Sequence, residues 1–340
     1  KIIMESIFFI CLLNKQLTIS IMKKLLIIVF ALVATNVSAQ YYVSVSGGAQ
    51  LGSAGVLQGR ELSATKITNE YGSFGEGLNA QLRAGYFWNK TFGVEVALGY
   101  LHGADQVRDF NSNYYSIAVF PLPTGLPSPN NFVNSAPTTV AVEDATKVNA
   151  YARAYGFSAA LIYNFNENIY GKFGAVTKVG GKTVAEATNV VKVKLTENVL
   201  VPGSGAVAIP TNTPVKTVTT NLEQEFNGRI PLGFIAAMGY KYKLGDNLNL
   251  FAELEYLGIN VTRDKSKYTA FTSTDVSALG APTTTTTLSQ LPVSMKEFTY
   301  VDELPIPYVA DPTKPAKVLS EVAPYSSFGI NFGITYTFGK

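Results

Sequence analysis

The final segment of the chain alternates strictly between bulky apolar residues and small or polar ones. Glycine, asparagine and threonine occupy the positions between the apolar ones. Because successive side chains of a strand point to opposite faces, this pattern predicts a β-strand with one apolar and one polar face. The apolar face consists of Phe328, Ile330, Phe332, Ile334, Tyr336 and Phe338.

Seven other segments show the same period of two and are bounded by turn residues, so the sequence predicts eight strands. The predicted strands are approximately residues 41–51, 78–88, 91–101, 149–165, 169–179, 226–242, 247–261 and 325–338.

The connections between these segments alternate between short and long. Three are tight turns rich in Asn, Asp and Gly, which suit short hairpins. In an up-and-down barrel, this alternation places all the tight turns on one side and all the long loops on the other. The tight turns are 89–90, 166–168 and 244–246, and the long connections are 52–77, 102–148, 180–225 and 262–324.

The volume of the side chains decides which face of the predicted barrel points outward. The interior of an eight-stranded barrel is narrow, so a ring of Phe, Ile and Tyr from every strand would overfill it. If the bulky face points outward, hydrocarbon is the solvent that it meets. We therefore predict an all-β fold: an eight-stranded antiparallel up-and-down transmembrane β-barrel with four long extracellular loops.

Two features leave details of this barrel open. Residues 190–195 alternate apolar residues with lysine, and 217–226 are also strand-like. The third hairpin therefore either extends beyond the membrane or adds a strand pair, so a ten-stranded barrel is the alternative. Pro231 lies inside a predicted strand, where its missing N–H predicts a bulge or a later start of the strand.

The N-terminal region predicts export. Lys23 and Lys24 precede the apolar run 25–33, and small residues end at Ala39, which is the pattern of a cleaved signal peptide. The apolar run is too short for a spanning helix. We expect an upstream, non-native segment to be followed by the signal peptide and then the barrel, at residues 1–21, 22–39 and 40–340.

Charge and cysteine content exclude several classes of function. The net charge of +3 comes entirely from the four lysines and one glutamate before the cleavage site, so the mature chain is neutral and nucleic acid is not an expected partner. Cys11 is the sole cysteine and also precedes that site. The exported protein is thus predicted to contain no disulfide and no cysteine metal site, and we expect no cofactor.

The strand pattern, the signal peptide and the terminal sequence GINFGITYTFGK carry a resemblance to a known family. Together they resemble the porin-family outer-membrane β-barrels and are similar to the membrane domain of outer-membrane protein A. This resemblance implies a bacterial outer-membrane location and surrounding lipid. It also implies that the barrel-assembly machinery recognises the last strand, with Tyr336 and Phe338 in the outward positions.

Charged residues fall at several inward positions of the predicted strands. A charge inside a narrow barrel must be paired or hydrated, because an unpaired buried ion costs several kcal/mol. We expect these ions to form a salt-bridge network that plugs the interior, and the alternative is that they line a narrow ion path. The residues are Arg83, Glu95, Lys172, Lys178, Arg229, Lys241, Glu253 and Glu255.

Aromatic residues cluster near both ends of the predicted strands. Tyr and Trp favour the boundary between lipid and water, so these positions predict two interfacial girdles. The expected interface aromatics are Trp88, Phe92, Tyr100, Tyr155, Tyr163, Tyr240, Tyr242, Tyr256, Phe328, Tyr336 and Phe338.

No catalytic constellation is evident. His102 is the sole histidine and Asp105 is close in sequence, but no nucleophile completes a triad, so we do not expect an enzyme. The sequence predicts a monomeric outer-membrane surface protein with a largely plugged interior and loops free to interact with an extracellular ligand. Two alternatives stay open: a small porin for ions or small solutes, and a barrel-anchored adhesin or ligand-binding protein.

A substitution at the centre of the last strand tests the predicted facing. Phe332→Arg should lower the free energy of unfolding by about 2–4 kcal/mol, because its charge would meet lipid near the bilayer midplane. Gly333→Arg should instead obstruct the interior. Urea unfolding in lipid vesicles measures the free energy of unfolding of both variants. Parent-like stability of Phe332→Arg would refute the prediction that Phe332 faces outward.

Overall fold

The computed structural model describes residues 40–53, 57–62, 66–124, 132–202, 208–279 and 281–338. The predicted signal peptide, the segment before it and Cys11 lie outside these ranges. In the described part of the chain, none of the helices is long and apolar enough to cross a membrane.

Most of the described chain is β-strand. Helical structure is limited to a 3-10 turn at Leu288–Gln290 and the short helix α1 (Val293–Lys296). In chain order the strands are β1 (Gln40–Gly52), β2 (Leu57–Leu62), β3 (Ile67–Tyr71), β4 (Gly77–Phe87), β5 (Phe92–Gly103), β6 (Gln106–Ala118), β7 (Pro121–Pro123), β8 (Phe132–Asn134), β9 (Thr138–Asn164), β10 (Ile169–Leu195), β11 (Val199–Leu200), β12 (Ala208–Ile209), β13 (Pro214–Gly228), β14 (Gly233–Lys243), β15 (Leu248–Gly258), β16 (Asn260–Ser277), β17 (Thr284–Thr287), β18 (Glu297–Val301), β19 (Ala316–Leu319), β20 (Val322–Pro324) and β21 (Ser327–Phe338).

Eight of these strands form a closed antiparallel ring. Its order is β1, β4, β5, β9, β10, β14, β15 and β21, and β21 returns to pair with β1. The closing register runs from Tyr41 opposite Phe338 to Gly52 opposite Ser327. The ring therefore contains eight strands in the sequential order that the alternation predicts.

The three tight turns join ring strands at one end of the ring. In the first, the Asn89 Oδ1 atom accepts hydrogen bonds from the backbone N–H groups of Thr91 and Phe92 at 2.8 and 2.6 Å. Asn166 caps the second turn in the same way through Asn168 and Ile169. These side chains satisfy backbone donors that a short hairpin leaves unpaired, which is why Asn recurs there.

The two faces of the ring differ as the period of two predicts. On β21, Phe332 is 62% exposed on the outer face, whereas its neighbour Asn331 is fully buried inside. On β1, Val45 is exposed while Ser44 and Ser46 are buried. The outer face is thus apolar and the inner face is mainly polar along both strands of the closing pair.

In the described residues, the connections predicted as long extracellular loops are largely β-strand. β9 and β10 each have 27 residues, and they pair with each other from Asn164 opposite Tyr170 to Val140 opposite Leu195. Beyond the ring, β9 also pairs with β6 and β10 with β13, and β13 pairs with β16. The chain therefore has far more strands than eight, because Val- and Thr-rich connections continue the extended conformation.

These additional strands do not widen the ring. β13 and β16 belong to the sheet that continues above it, hereafter the extension, whose strand order is β6, β9, β10, β13, β16, β18 and β19. The strand predicted at 226–242 breaks around Pro231 into β13 and β14, and β14 begins at Gly233, which is the later start that Pro231 predicts. The strand predicted at 247–261 likewise divides at Ile259, where the chain leaves the ring. The ten-stranded alternative is therefore not observed.

Large aromatic side chains also lie inside the ring, which the volume argument did not anticipate. Tyr42 lies opposite Gly85 and Tyr170 opposite Gly239 on neighbouring strands. A Cβ atom at Gly85 would lie 2.2 Å from the Tyr42 ring, and one at Gly239 would lie 2.3 Å from the Tyr170 ring. Each ring thus fits because it covers a glycine, a pairing known to rescue strand glycines.

Replacement of one of these glycines tests the packing. Gly85→Ala should lower the free energy of unfolding by about 1–3 kcal/mol, because the new methyl group overlaps Tyr42. Gly47→Ala is the matched control, since Gly47 faces outward and its added Cβ would come no closer than 3.5 Å to another atom. Equal urea midpoints for the two variants would contradict this packing.

Candidate functional site in the ring interior

Five charged side chains meet inside the ring at mid-height. Arg83 comes from β4, Glu95 from β5, Lys172 from β10, and Glu253 and Glu255 from β15. Each is at most 7% exposed, although all are ionisable. We call these five residues the ion cluster.

Arg83 and Glu253 form the centre of the ion cluster. The Arg83 Nη1 and Nη2 atoms donate to the two carboxylate oxygens of Glu253, each at 3.0 Å. This bidentate arrangement is the strongest geometry for an arginine and a carboxylate. The Arg83 Nε atom donates to Gln81 Oε1, also at 3.0 Å, so the guanidinium is held in one plane.

Lys172 connects the three carboxylates. Its Nζ atom lies 3.0 Å from Glu253, 3.4 Å from Glu95 and 3.5 Å from Glu255. Each carboxylate also has Arg83 within 4.0 Å. Because the desolvation of a buried ion is offset only by close partners and further hydrogen bonds, these mutual contacts are what allow the charges inside the ring.

Neutral donors complete the coordination of the carboxylates. The Tyr42 hydroxyl donates to Glu95 at 2.7 Å, and the Tyr170 hydroxyl donates to Glu253 at 2.8 Å. The amides of Gln50 and Gln81 donate to Glu255 at 3.2 and 3.1 Å.

Neither tyrosine was among the predicted inward residues, because bulky aromatic side chains were expected to face outward. The alternation does place both tyrosines on the inner face of their strands. There, each lies opposite an inward-facing glycine of the neighbouring strand.

Three of the predicted network residues do not join the ion cluster. Lys241 lies below it, where its Nζ atom donates to Asn164 Oδ1 at 3.0 Å and lies 4.6 Å from the centre of the Tyr170 ring. Lys178 lies near the opposite rim and donates to the Gly181 carbonyl oxygen at 2.9 Å.

Arg229 lies outside the ring altogether, which corrects the expectation that it faces the interior. It falls between β13 and β14, where the chain departs from strand geometry before Pro231. Its guanidinium binds Asp302 in the segment after β18, at 3.0 Å. The hydrogen bond from Arg229 holds the pKa of Asp302 below its usual range, so this exposed pair stays charged at neutral pH.

The ion cluster separates two cavities. The lower one has about 190 Å³ and is polar, with Arg83, Glu95 and Lys241 among its lining residues. The upper one has about 100 Å³ and is mainly apolar, and Gln81 and Glu255 form part of its lining. The cluster thus forms a partition across the ring.

The structure places most of the predicted interface aromatics on the outer face of the ring. Trp88 and Phe92 stack at 6.3 Å beside the first tight turn, and Phe92 contacts Tyr163 at 5.1 Å. Tyr100 and Tyr155 pair at 5.2 Å near the other end. Tyr100 and Tyr256 are half-buried, and the exposed members are Trp88, Phe92, Tyr155, Tyr163, Tyr240, Tyr242, Phe328, Tyr336 and Phe338.

His102, the sole histidine, lies apart from the ion cluster. It is near the end of β5, opposite Arg153 of β9, and its ring is 6.5 Å from that of Tyr100. In the described ranges, no three His, Cys, Asp or Glu side chains are arranged to hold a metal ion. The ion cluster is therefore the candidate functional site.

Removal of one carboxylate tests the balance of the ion cluster. Glu253→Ala should lower the free energy of unfolding by about 3–5 kcal/mol, because Arg83 and Lys172 lose the nearest of their shared carboxylate partners in a buried place. Asp302→Ala, which removes an exposed partner of Arg229, should leave the urea midpoint unchanged. A parent-like midpoint for Glu253→Ala would show that water already solvates the cluster.

Comparison with known proteins gives only distant similarity. No protein-family model matches the sequence, and no curated protein matches it. A major outer membrane protein from Thermus thermophilus is similar over 88% of this chain and 100% of its own, with 12% identity and a TM-score of 0.24. A loop-deletion mutant of OmpT from Vibrio cholerae has 10% identity and a TM-score of 0.10 over 88% of this chain and 99% of its own. Because the TM-scores are low, these similarities do not indicate a function, and the function has to be inferred from the geometry of the ring.

Proposed function

We propose that this protein is an integral β-barrel of the bacterial outer membrane that presents the extension at the cell surface and whose interior is closed by the ion cluster. The observation that carries the proposal is the apolar outer face of a closed ring. Side chains of this kind are usually buried in a protein that is surrounded by water.

Each of the eight ring strands contributes a large apolar side chain to this outer face. Their exposed fractions run from 49% to 63%. A continuous apolar surface around the whole ring far exceeds the patches of a few hundred Å² that soluble monomers expose, so hydrocarbon is its natural solvent. The residues, in ring order, are Val45, Leu82, Leu98, Leu161, Phe173, Met238, Leu254 and Phe332.

The height of this face fits a membrane. Ten residue steps separate Phe328 from Phe338, and at about 3.3 Å per residue and a tilt of about 40° they rise about 25 Å. That rise equals the apolar band of an outer-membrane barrel. The aromatic contacts at both ends of the band are suited to the two interfaces between lipid and water.

The ion cluster supports a closed interior over the porin alternative. Five buried charges, two tyrosines and two glutamines occupy the centre of a ring that has little room to spare. A conducting path would have to break the bidentate contact of Arg83 with Glu253, which leaves buried ions without partners.

The extension supports a role at the surface. It lies at the end of the ring opposite the tight turns, where an outer-membrane barrel carries its extracellular segments. Its edge strand β6 exposes Tyr114, Tyr115 and Ile117. A rigid sheet with exposed aromatic residues is suited to contact another molecule, so a barrel-anchored ligand-binding protein is the second candidate.

Conductance distinguishes a closed barrel from a porin. The parent protein in a planar bilayer should give no steady openings, because the ion cluster spans the interior. The double variant Arg83→Ser and Glu253→Ser, which leaves the net charge unchanged, should conduct. The matched control, Arg229→Ser with Asp302→Ser, removes an ion pair outside the ring and should stay silent. Steady openings of the parent would favour the porin.

Extraction from membranes tests the location. The parent should remain in the membrane fraction after an alkaline carbonate wash and should dissolve only in detergent, because its apolar outer face requires a hydrocarbon-like solvent. Release by carbonate alone would contradict the proposal and indicate a soluble or peripheral protein.

A further inference from the structure

The upper cavity, hereafter the chamber, is a separate space inside the ring. Its floor consists of Glu255 from the ion cluster and of Gln50 and Gln81, which donate to Glu255. Its wall includes Ala97, Gly99, Ala154, Val176 and Ile235, whose side chains are apolar or absent.

Small residues on two neighbouring strands create the chamber. Gly99 of β5 lies opposite Gly156 of β9, and both belong to the inner face. A Cβ atom added at Gly99 would come no closer than 3.8 Å to another atom, and one at Gly156 no closer than 3.7 Å. Unlike Gly85, which an aromatic ring covers, these two glycines face empty space.

A cap lies over the chamber on the side of the extension. The Tyr325 ring lies 5.9 Å from the Phe74 ring, and its hydroxyl is 2.6 Å from Thr183 Oγ1. The Phe74 backbone N–H donates to the Pro324 carbonyl oxygen at 2.8 Å. Tyr325 packs with buried Ile259 and other apolar residues, so the cap is also apolar on its inner side.

The charged group of the floor, the Glu255 carboxylate, is surrounded by donors. The Glu255 carboxylate accepts hydrogen bonds from Gln50 and Gln81 and lies 3.5 Å from the Lys172 Nζ atom. These contacts compensate the negative charge of Glu255 within the ion cluster. A molecule in the chamber therefore meets mainly apolar surface. Lys178 also lines the chamber, and its ammonium group donates to the Gly181 carbonyl oxygen.

We propose that the chamber is a binding site for a small, uncharged, apolar molecule. Apolar cavities bind such molecules because water inside them lacks hydrogen-bond partners, and an apolar cavity of about 150 Å³ accommodates benzene. The chamber, at about 100 Å³, is smaller than that cavity, so it suits a molecule no larger than benzene, such as benzene itself or a short branched alkane. This site does not depend on whether the ring conducts.

Benzene is the probe, and thermal unfolding of the full chain in detergent micelles is the first measurement. Benzene should raise the Tm of the parent by about 2–4 °C at saturation, because it binds the folded state only. Gly99→Leu fills the chamber with a side chain, so this variant should show no rise with benzene. Gly156→Leu fills the same space from the neighbouring strand and serves if Gly99→Leu does not fold.

Gly47→Leu is the matched control, since it adds the same side chain to the outer face and should keep the response to benzene. The second measurement locates the probe: benzene protons should give NOEs to the methyl groups of Ala154, Val176 and Ile235 in the parent and in Gly47→Leu. NOEs to water in place of benzene, or an equal response from the filled variants, would overturn the proposal.

Discussion

Closure of eight strands into a ring is the constraint on which the rest of this structure depends. When β21 pairs with β1, the ring strands have neighbours on both sides, and each side chain is assigned to one of only two environments. A one-residue shift in this register would turn Phe332 inward and Asn331 outward. The apolar outer face, the buried ions and the two cavities all follow from the register that closure selects.

Inside the ring, charge and volume are balanced together. Three carboxylates and two cations share contacts of 4.0 Å or less, while Tyr42 and Tyr170 donate to the carboxylates from below. Those tyrosines fit because Gly85 and Gly239 lack side chains. The ion cluster thus needs the glycines as much as it needs its charges, since without the tyrosines two buried carboxylates would lose a donor.

The strands β9 and β10 belong to both the ring and the extension. The parts of β9 and β10 within the ring present Leu161 and Phe173 outward, whereas their distal parts pair with β6 and β13. Two continuous strands therefore connect the ring to the extension. The same small residues of β9 that line the chamber, Ala154 and Gly156, lie where the ring passes into the extension.

The sequence by itself determined the strand alternation, the order of the ring strands, the three tight turns and the inward direction of Arg83, Glu95, Lys172, Glu253 and Glu255, since these depend on local sequence. Only the tertiary structure decided that the long connections form a sheet, that Arg229 lies outside the ring and that Tyr42 lies over Gly85. Each of these depends on pairing between segments distant in the chain. A local pattern states which way a side chain points, but the register between strands determines what it meets.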